Sequence, residues 1–193
     1  MIEIGIENKV YSVQEYLTLE AMSKVRYEYY QGKISPMPGG TAIHNLIGTN
    51  LAAFLRQELK KSGENYFVMG DNMKVRIDAY DVIVYPDALV VFDKLEYYNN
   101  RKDILINPIL VIEVLSPSTK DFDNTVKFDY YKSLDSLKEY VLVHQESASV
   151  STYYKEDADL WRIKTIQGVE KSVFLKSLDL SIPLDEIYYQ TGI

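Results

Sequence analysis

Two carboxylates in this chain sit where an apolar residue belongs. Val82-Ile83-Val84-Tyr85-Pro86-Asp87-Ala88-Leu89-Val90-Val91 carries Asp87. Ile109-Leu110-Val111-Ile112-Glu113-Val114-Leu115 carries Glu113. Both runs are rich in Val and Ile and have strand length, so each reads as a strand of a buried sheet. A buried carboxylate is costly unless it is neutralised, paired or bound to a metal. Two of them on neighbouring strands suggest a shared purpose, and the simplest is to hold a hard divalent cation, which takes oxygen ligands. Held close together, the two like charges would raise the pKa of at least one. A plainer reading is an acid at a strand end that faces solvent or pairs with a Lys. For Asp87 it stands level with the metal reading, because Pro86 marks an edge, end or bulge. For Glu113, flanked by apolar residues on both sides, it fits less well.

The elements that must position these acids follow from pattern and punctuation. Ser12-Val13-Gln14-Glu15 matches a capping box, which predicts a helix through about Met22. Arg26 to Tyr30 and Lys33 to Met37 read as short strands joined at Gln31-Gly32, with Glu28 among tyrosines on the first. After the breaker cluster Pro36 to Gly40, the stripe Ile43, Leu46, Ile47, Leu51, Phe54, Leu55 predicts a helix from Thr41 to Lys61, ended by Ser62-Gly63. Strands over Tyr66–Met69, Met73–Ile77 and Val82–Val91 read as an antiparallel meander. The polar stretch Phe92 to Asn107 reads as a mobile surface loop. The Glu113 strand closes at Ser116-Pro117-Ser118-Thr119. Thr119 or Asp121 then caps a helix to about Ser133, and Glu139 to His144 forms a strand, a βαβ crossover. Alternating strands over Ser149–Tyr154, Trp161–Ile166 and Ser172–Leu175, then a tail over Leu184–Tyr189, complete the chain.

Composition narrows the function classes. The 193 residues suit one domain, residues 1–193, with no repeat or linker to divide them. No apolar run is long enough to span a membrane. Met1 to Glu7 lacks a basic leader followed by an apolar core, so no secretory signal is expected, and a cytoplasmic location fits. The absence of Cys excludes disulfides, thiolate metal sites and a cysteine nucleophile. Two His argue against a multi-histidine metal site. A net charge of −7 removes the whole-surface footprint of a non-specific nucleic-acid coat, but not a local basic groove. The 17 Tyr recur in clusters as amphipathic core-boundary residues.

The helix after Glu113 carries Lys127. At about 100° per residue its apolar face is Phe122, Val126 and Tyr130, with Lys127 on the flank. Spacing alone favours an exposed i, i+4 pair of Asp123 with Lys127. A wider pattern is recognisable. Pro86-Asp87, then Glu113 in Val111 to Thr119, then Lys127, resembles the PD-(D/E)XK nuclease superfamily. More narrowly, the chain resembles the Uma-two family of putative restriction endonucleases. Tyr27-Glu28-Tyr29-Tyr30-Gln31-Gly32-Lys33-Ile34, His44 and Glu139 to Val143 also match, so the likeness runs from about Ser12 to Tyr154. One departure is that the lysine of the plain pattern belongs at position 115, which is Leu115. The other is His144, where the family often has an acid.

The resemblance implies an α+β (α/β) fold: a restriction-endonuclease-like αβββαβ core, its mixed central sheet flanked by helices, with extra N- and C-terminal strands. It implies that Asp87 and Glu113 bind Mg²⁺ (or Mn²⁺), with a backbone carbonyl near Val114 as a further ligand, and that Lys127 takes the displaced lysine's role. Glu28 could complete the metal shell. His44 could contact a phosphate or Glu28, or be an ordinary helix-start histidine. The implied activity is metal-dependent hydrolysis of phosphodiester bonds in DNA by a homodimer. The alternatives are a nuclease fold kept as a nucleic-acid or protein binding module, and a metal-free glycosidase working with paired carboxylates.

Overall fold

The computed structural model describes residues 9–37, 39–117, 120–158 and 160–193. Ser118 and Thr119, and with Thr119 one of the two expected helix caps, lie outside the described residues, as does the stretch before Lys9.

Helix α1 (Val13–Met22) starts on the expected capping box, with Ser12 and Glu15 satisfying each other's backbone N–H. Strands β1 (Tyr27–Tyr30) and β2 (Lys33–Pro36) form a hairpin. Its turn residues Gln31 and Gly32 both take positive φ. Helix α2 (Ala42–Ser62) buries Ile47, Leu51, Leu55 and Leu59 and ends at Gly63, whose φ of 75° suits a residue without a Cβ. Strands β3 (Tyr66–Gly70), β4 (Lys74–Ile77), β5 (Val82–Val84), β6 (Ala88–Phe92), β7 (Ile104–Leu105) and β8 (Leu110–Leu115) follow. A helical segment, α3, then comprises Lys120–Phe122, a π-helical turn Asp123–Lys127, and Phe128–Tyr131. The chain closes with β9 (Glu139–His144), β10 (Ser149–Asp157), β11 (Leu160–Gln167), β12 (Ser172–Leu175), β13 (Leu180–Pro183) and helix α4 (Leu184–Ile187).

The strands build a five-stranded sheet in the order β2-β1-β5-β4-β7, a six-stranded sheet β11-β10-β9-β8-β6-β3, and the hairpin β12-β13. The larger sheet is mixed. β8 and β9 run parallel and are joined through α3, while its other neighbours are antiparallel. Alternation along β8 sends Leu110, Ile112 and Val114 to one face and Val111, Glu113 and Leu115 to the other. The first set packs under α2, α4 and the β12-β13 hairpin. The second faces Val75, Ile77, Val82 and Val84 of the smaller sheet and Tyr131 of α3. Helix α1 covers the outer face of the smaller sheet through Tyr16 and Leu17. Glu113 therefore points into the layer between the two sheets.

Three expectations need correction. The 82–91 run is two strands, not one: β5 pairs in the smaller sheet and β6 in the larger, and the chain crosses between them at Tyr85-Pro86-Asp87. Pro86 cannot donate to a ladder, so the crossing falls there. β3 consequently pairs with β6 rather than with β4, and there is no meander. The stretch Phe92 to Asn107 is not a simple surface loop either. Ile104 and Leu105 are fully buried and pair with β4.

Candidate active site

The site lies where the chain leaves one sheet for the other. One step beyond the β6–β8 register, which pairs Ala88 with Ile112, Asp87 falls opposite Glu113. Asp87 Oδ2 accepts the Val114 N–H at 2.6 Å, and Oδ1 lies 2.8 Å from His44 Nε2. His44 sits in the first turn of α2, whose N-cap Thr41 accepts the His44 backbone N–H. The Val114 backbone thus meets Asp87 through its N–H.

Glu113 meets α3. Lys127 Nζ lies 2.9 Å from Glu113 Oε1, 3.6 Å from Glu28 Oε1 and 3.7 Å from Asp123 Oδ1. Glu113, Asp123 and Lys127 are buried at 3%, 4% and 6% exposure, so these are not surface pairs. The helix phase expected from the apolar residues is therefore wrong. Asp123, Lys127 and Tyr131 face inward, while Phe122 and Val126 stay 37% and 40% exposed. The π-turn at Asp123–Lys127 sets this phase, and π-turns recur at functional sites. Tyr131 donates to Glu113 Oε1, and Tyr140 of β9 donates to the Asp123 carbonyl. Glu28 is fixed on both oxygens, accepting the Tyr85 N–H at 3.0 Å and the Tyr30 hydroxyl at 2.6 Å.

The structure thus gathers Glu28, Glu113 and Lys127 into one cluster and His44 with Asp87 into an adjoining pair. It adds Asp123, Tyr30, Tyr131 and Tyr140, which sequence reasoning did not place in the site. Asp123 had a signal in its i, i+4 spacing to Lys127. The tyrosines had none, since their clustering was general.

Charge in this layer is strongly coupled. Burial pushes the Glu113 carboxyl well above its ordinary range. The Lys127 charge opposes that, and Asp123 and Asp87 add to it. Burial works against the Lys127 ammonium, but Glu113, Glu28 and Asp123 outweigh it and hold the lysine charged to well above its usual range. Burial and the charge of Glu28 keep Tyr30 protonated, so it donates. His44 is raised first by its bond to Asp87, against burial. The expectation of a raised carboxyl is met at Glu113, with desolvation rather than Asp87 as its main cause.

Among the described residues no three His, Asp or Glu side chains form a ready-made metal cage. The chemistry of the donors still suits a hard cation. Four carboxylates (Asp87, Glu113, Glu28, Asp123) face Lys127 and His44, leaving negative charge in excess.

Residues 13–185 match the family model Uma2, described as "Putative restriction endonuclease". The chain belongs to the Uma2 family. Two relatives come from Synechocystis sp. (strain ATCC 27184 / PCC 6803 / Kazusa). "Uncharacterized protein sll1609" is 31% identical over 160 residues, 83% of this chain and 89% of that protein. "Uncharacterized protein slr1290" is 32% identical over 177 residues, 92% of this chain and 90% of that protein. Among solved structures, a putative nuclease belonging to DUF820 from Anabaena variabilis ATCC 29413 superposes with a TM-score of 0.71. It is 19% identical and the match covers 94% of this chain and 99% of that one, so it speaks to the fold: the restriction-endonuclease-like α+β architecture. Among the described residues of this Uma2 member, no helix is long and apolar enough to cross a membrane.

Proposed function

We propose that this Uma2 protein is a metal-dependent nuclease that hydrolyses phosphodiester bonds in DNA. The observation that carries the proposal is the buried Lys127 ammonium, 2.9 Å from Glu113, with Asp87, the partner of His44, at the head of the strand next to that of Glu113. A lysine is seldom buried at such cost without a partner or a task. Asp87 and Glu113 would hold Mg²⁺ or Mn²⁺, with Glu28 and the Val114 backbone nearest to assist. Such an ion supplies Lewis acidity toward a phosphoryl oxygen and a more acidic water.

The protein's own residues do the rest. Glu113 and Glu28 fix the Lys127 ammonium, ready to stabilise negative charge as it grows on phosphorus. Tyr30 and the Tyr85 N–H hold the Glu28 carboxylate in place for that task. His44, bonded to Asp87 at 2.8 Å, stands where it can contact a phosphate beside that carboxylate. The closed layer excludes bulk water and strengthens each of these interactions.

A second reading has one observation in its favour. Both Asp87 oxygens and Glu113 Oε1 are already engaged within the protein, as in a self-contained ion cluster. On that reading the fold is a binding module and its acids are structural. A cleavage assay separates the two. Mixed DNA substrates are incubated with Mg²⁺, Mn²⁺ or EDTA. The nuclease reading expects cleavage with metal, none with EDTA, and loss of cleavage in Asp87→Asn and Lys127→Ala. Absence of cleavage with either metal, or cleavage in EDTA, overturns it.

A further inference from the structure

The acid cluster is closed on most sides. Glu113, Asp123 and Lys127 are buried, whereas the Asp87 and His44 side chains keep 19% and 20% exposure. These two residues line the inner section of a groove of about 410 Å³, floored by Gly48 and Ala52 of α2 and by Val68 and Gly70 of β3. A Cβ added to Gly48 would meet nothing within 4 Å, so the floor is open space. Arg56 joins this section to an outer one of about 560 Å³, lined also by Lys60. His44 and Arg56 stand twelve residues apart on α2, about 18 Å at roughly 1.5 Å per residue.

The charges along this path are uneven. Arg56 and Lys60 are exposed, and among the described residues neither is paired with a carboxylate. Of the two inner acids, Asp87 is bonded to His44 and Asp71 is tied to Arg26 at 3.1 Å, which leaves Glu64 in the outer section as the opposing charge. On a chain of net charge −7, two adjacent free cations leading to a catalytic cluster are a local exception. Cations over a floor of small and apolar groups suit a polyanion whose sugars and bases also need contact. Each section has the size of a pocket that encloses one small molecule. Each section is matched in size to a nucleotide or two of one strand.

We propose that the groove between α2 and β3 binds a single unpaired DNA strand and leads it to the Asp87 end of the site. The proposal rests on the nuclease reading for its substrate class, but the binding it predicts needs no cleavage. A strand enters past Lys60 and Arg56, which hold phosphates, and reaches His44 beside Asp87. Duplex DNA is engaged only where it is frayed, gapped or branched.

The test is fluorescence anisotropy of the full chain in EDTA, with a fluorescein-labelled twelve-nucleotide oligothymidylate and a blunt duplex of equal length as probes. The single strand should bind about tenfold more tightly than the duplex. The Arg56→Glu/Lys60→Glu variant should lose about tenfold in single-strand affinity. Its slope of log K against log salt should shrink by about 0.7 for each phosphate that the protein no longer neutralises. Ala52→Trp, which fills the inner section without changing charge, should also weaken binding. Melting curves close to wild type would show that the fold is kept, and the charge variant alters exposed positions only. Equal affinity for the two probes, or unchanged single-strand binding in the charge variant, overturns the proposal. Single-strand binding of this pattern in a protein that cuts nothing with any metal supports the groove while removing the nuclease reading.

Discussion

Lys127→Met keeps a side chain of similar length and deletes the buried charge. Glu113 then loses its partner at 2.9 Å and stays buried near Glu28 and Asp123, which lose the same counter-ion. Removing one member of a buried pair costs about 3–5 kcal/mol. A chain of this size loses roughly 2–4 °C of melting point per kcal/mol, so the variant should melt roughly 6–20 °C below wild type at pH 7 in EDTA. The deficit depends on pH with a definite sign. Glu113 is held above its ordinary 4.5, so between that value and its raised one the native state binds more protons than the unfolded state. Stability from this group therefore falls as pH rises through that window. Loss of Lys127 raises Glu113 further, so the deficit should shrink toward pH 5 and grow toward pH 8. Lys127→Met/Glu113→Gln removes both charges and should recover most of the loss. Circular-dichroism melts of wild type, single and double variants across pH 5 to 8 provide the check. A single variant melting within 2 °C of wild type at pH 7, or a double variant no more stable than the single, would refute the role given to this ion pair.

Other expected outcomes concern the neighbouring groups. His44 is raised above 6.5 chiefly by Asp87; its contribution to stability is complete below 6.5 and is lost as pH rises through the raised value. In EDTA, His44→Ala should flatten the pH dependence in that window, and an NMR titration midpoint at or below 6.5 for wild-type His44 would contradict the bond. Gly63→Ala forces a side chain into the left-handed C-cap of α2 and should cost about 1 kcal/mol, roughly 2–4 °C of melting point. Unaltered melting would show that the cap tolerates a Cβ.

Local chemistry was legible where it was self-contained. The Ser12–Glu15 capping box and the α2 stripe ending at Gly63 use interactions within a few residues, and both form as read. Glu113 was found because a lone acid in an apolar strand breaks a strict pattern. Long-range partners were not legible. The 82–91 run is apolar on both sides of Pro86-Asp87 whether its halves share a sheet or not; Pro86 marks an edge, end or bulge without saying which, and only pairing with β1 and β4 on one side, β8 and β3 on the other, separates β5 from β6. The α3 phase misled for a physical reason. Apolar periodicity assumes that the buried face is apolar, but here Glu113 and Glu28 draw Lys127 inward and leave Phe122 and Val126 outside. β7 and β13 were missed because two to four residues carry too little pattern, although Ile104-Leu105-Ile106 is an apolar break in a polar stretch.

Binding of a divalent cation by the carboxylates at the sheet crossing underlies the whole proposed mechanism. Thermal melts in EDTA and in millimolar Mg²⁺ or Mn²⁺ test it without any knowledge of the DNA target. An ion that binds only the folded state stabilises by about 2.7 kcal/mol at a hundredfold excess over Kd. That corresponds to a rise of roughly 5–10 °C for wild type. Asp87→Asn and Glu113→Gln should each lose most of that rise. No shift in wild type with either metal, or an equal shift in both variants, would contradict cation binding at this site.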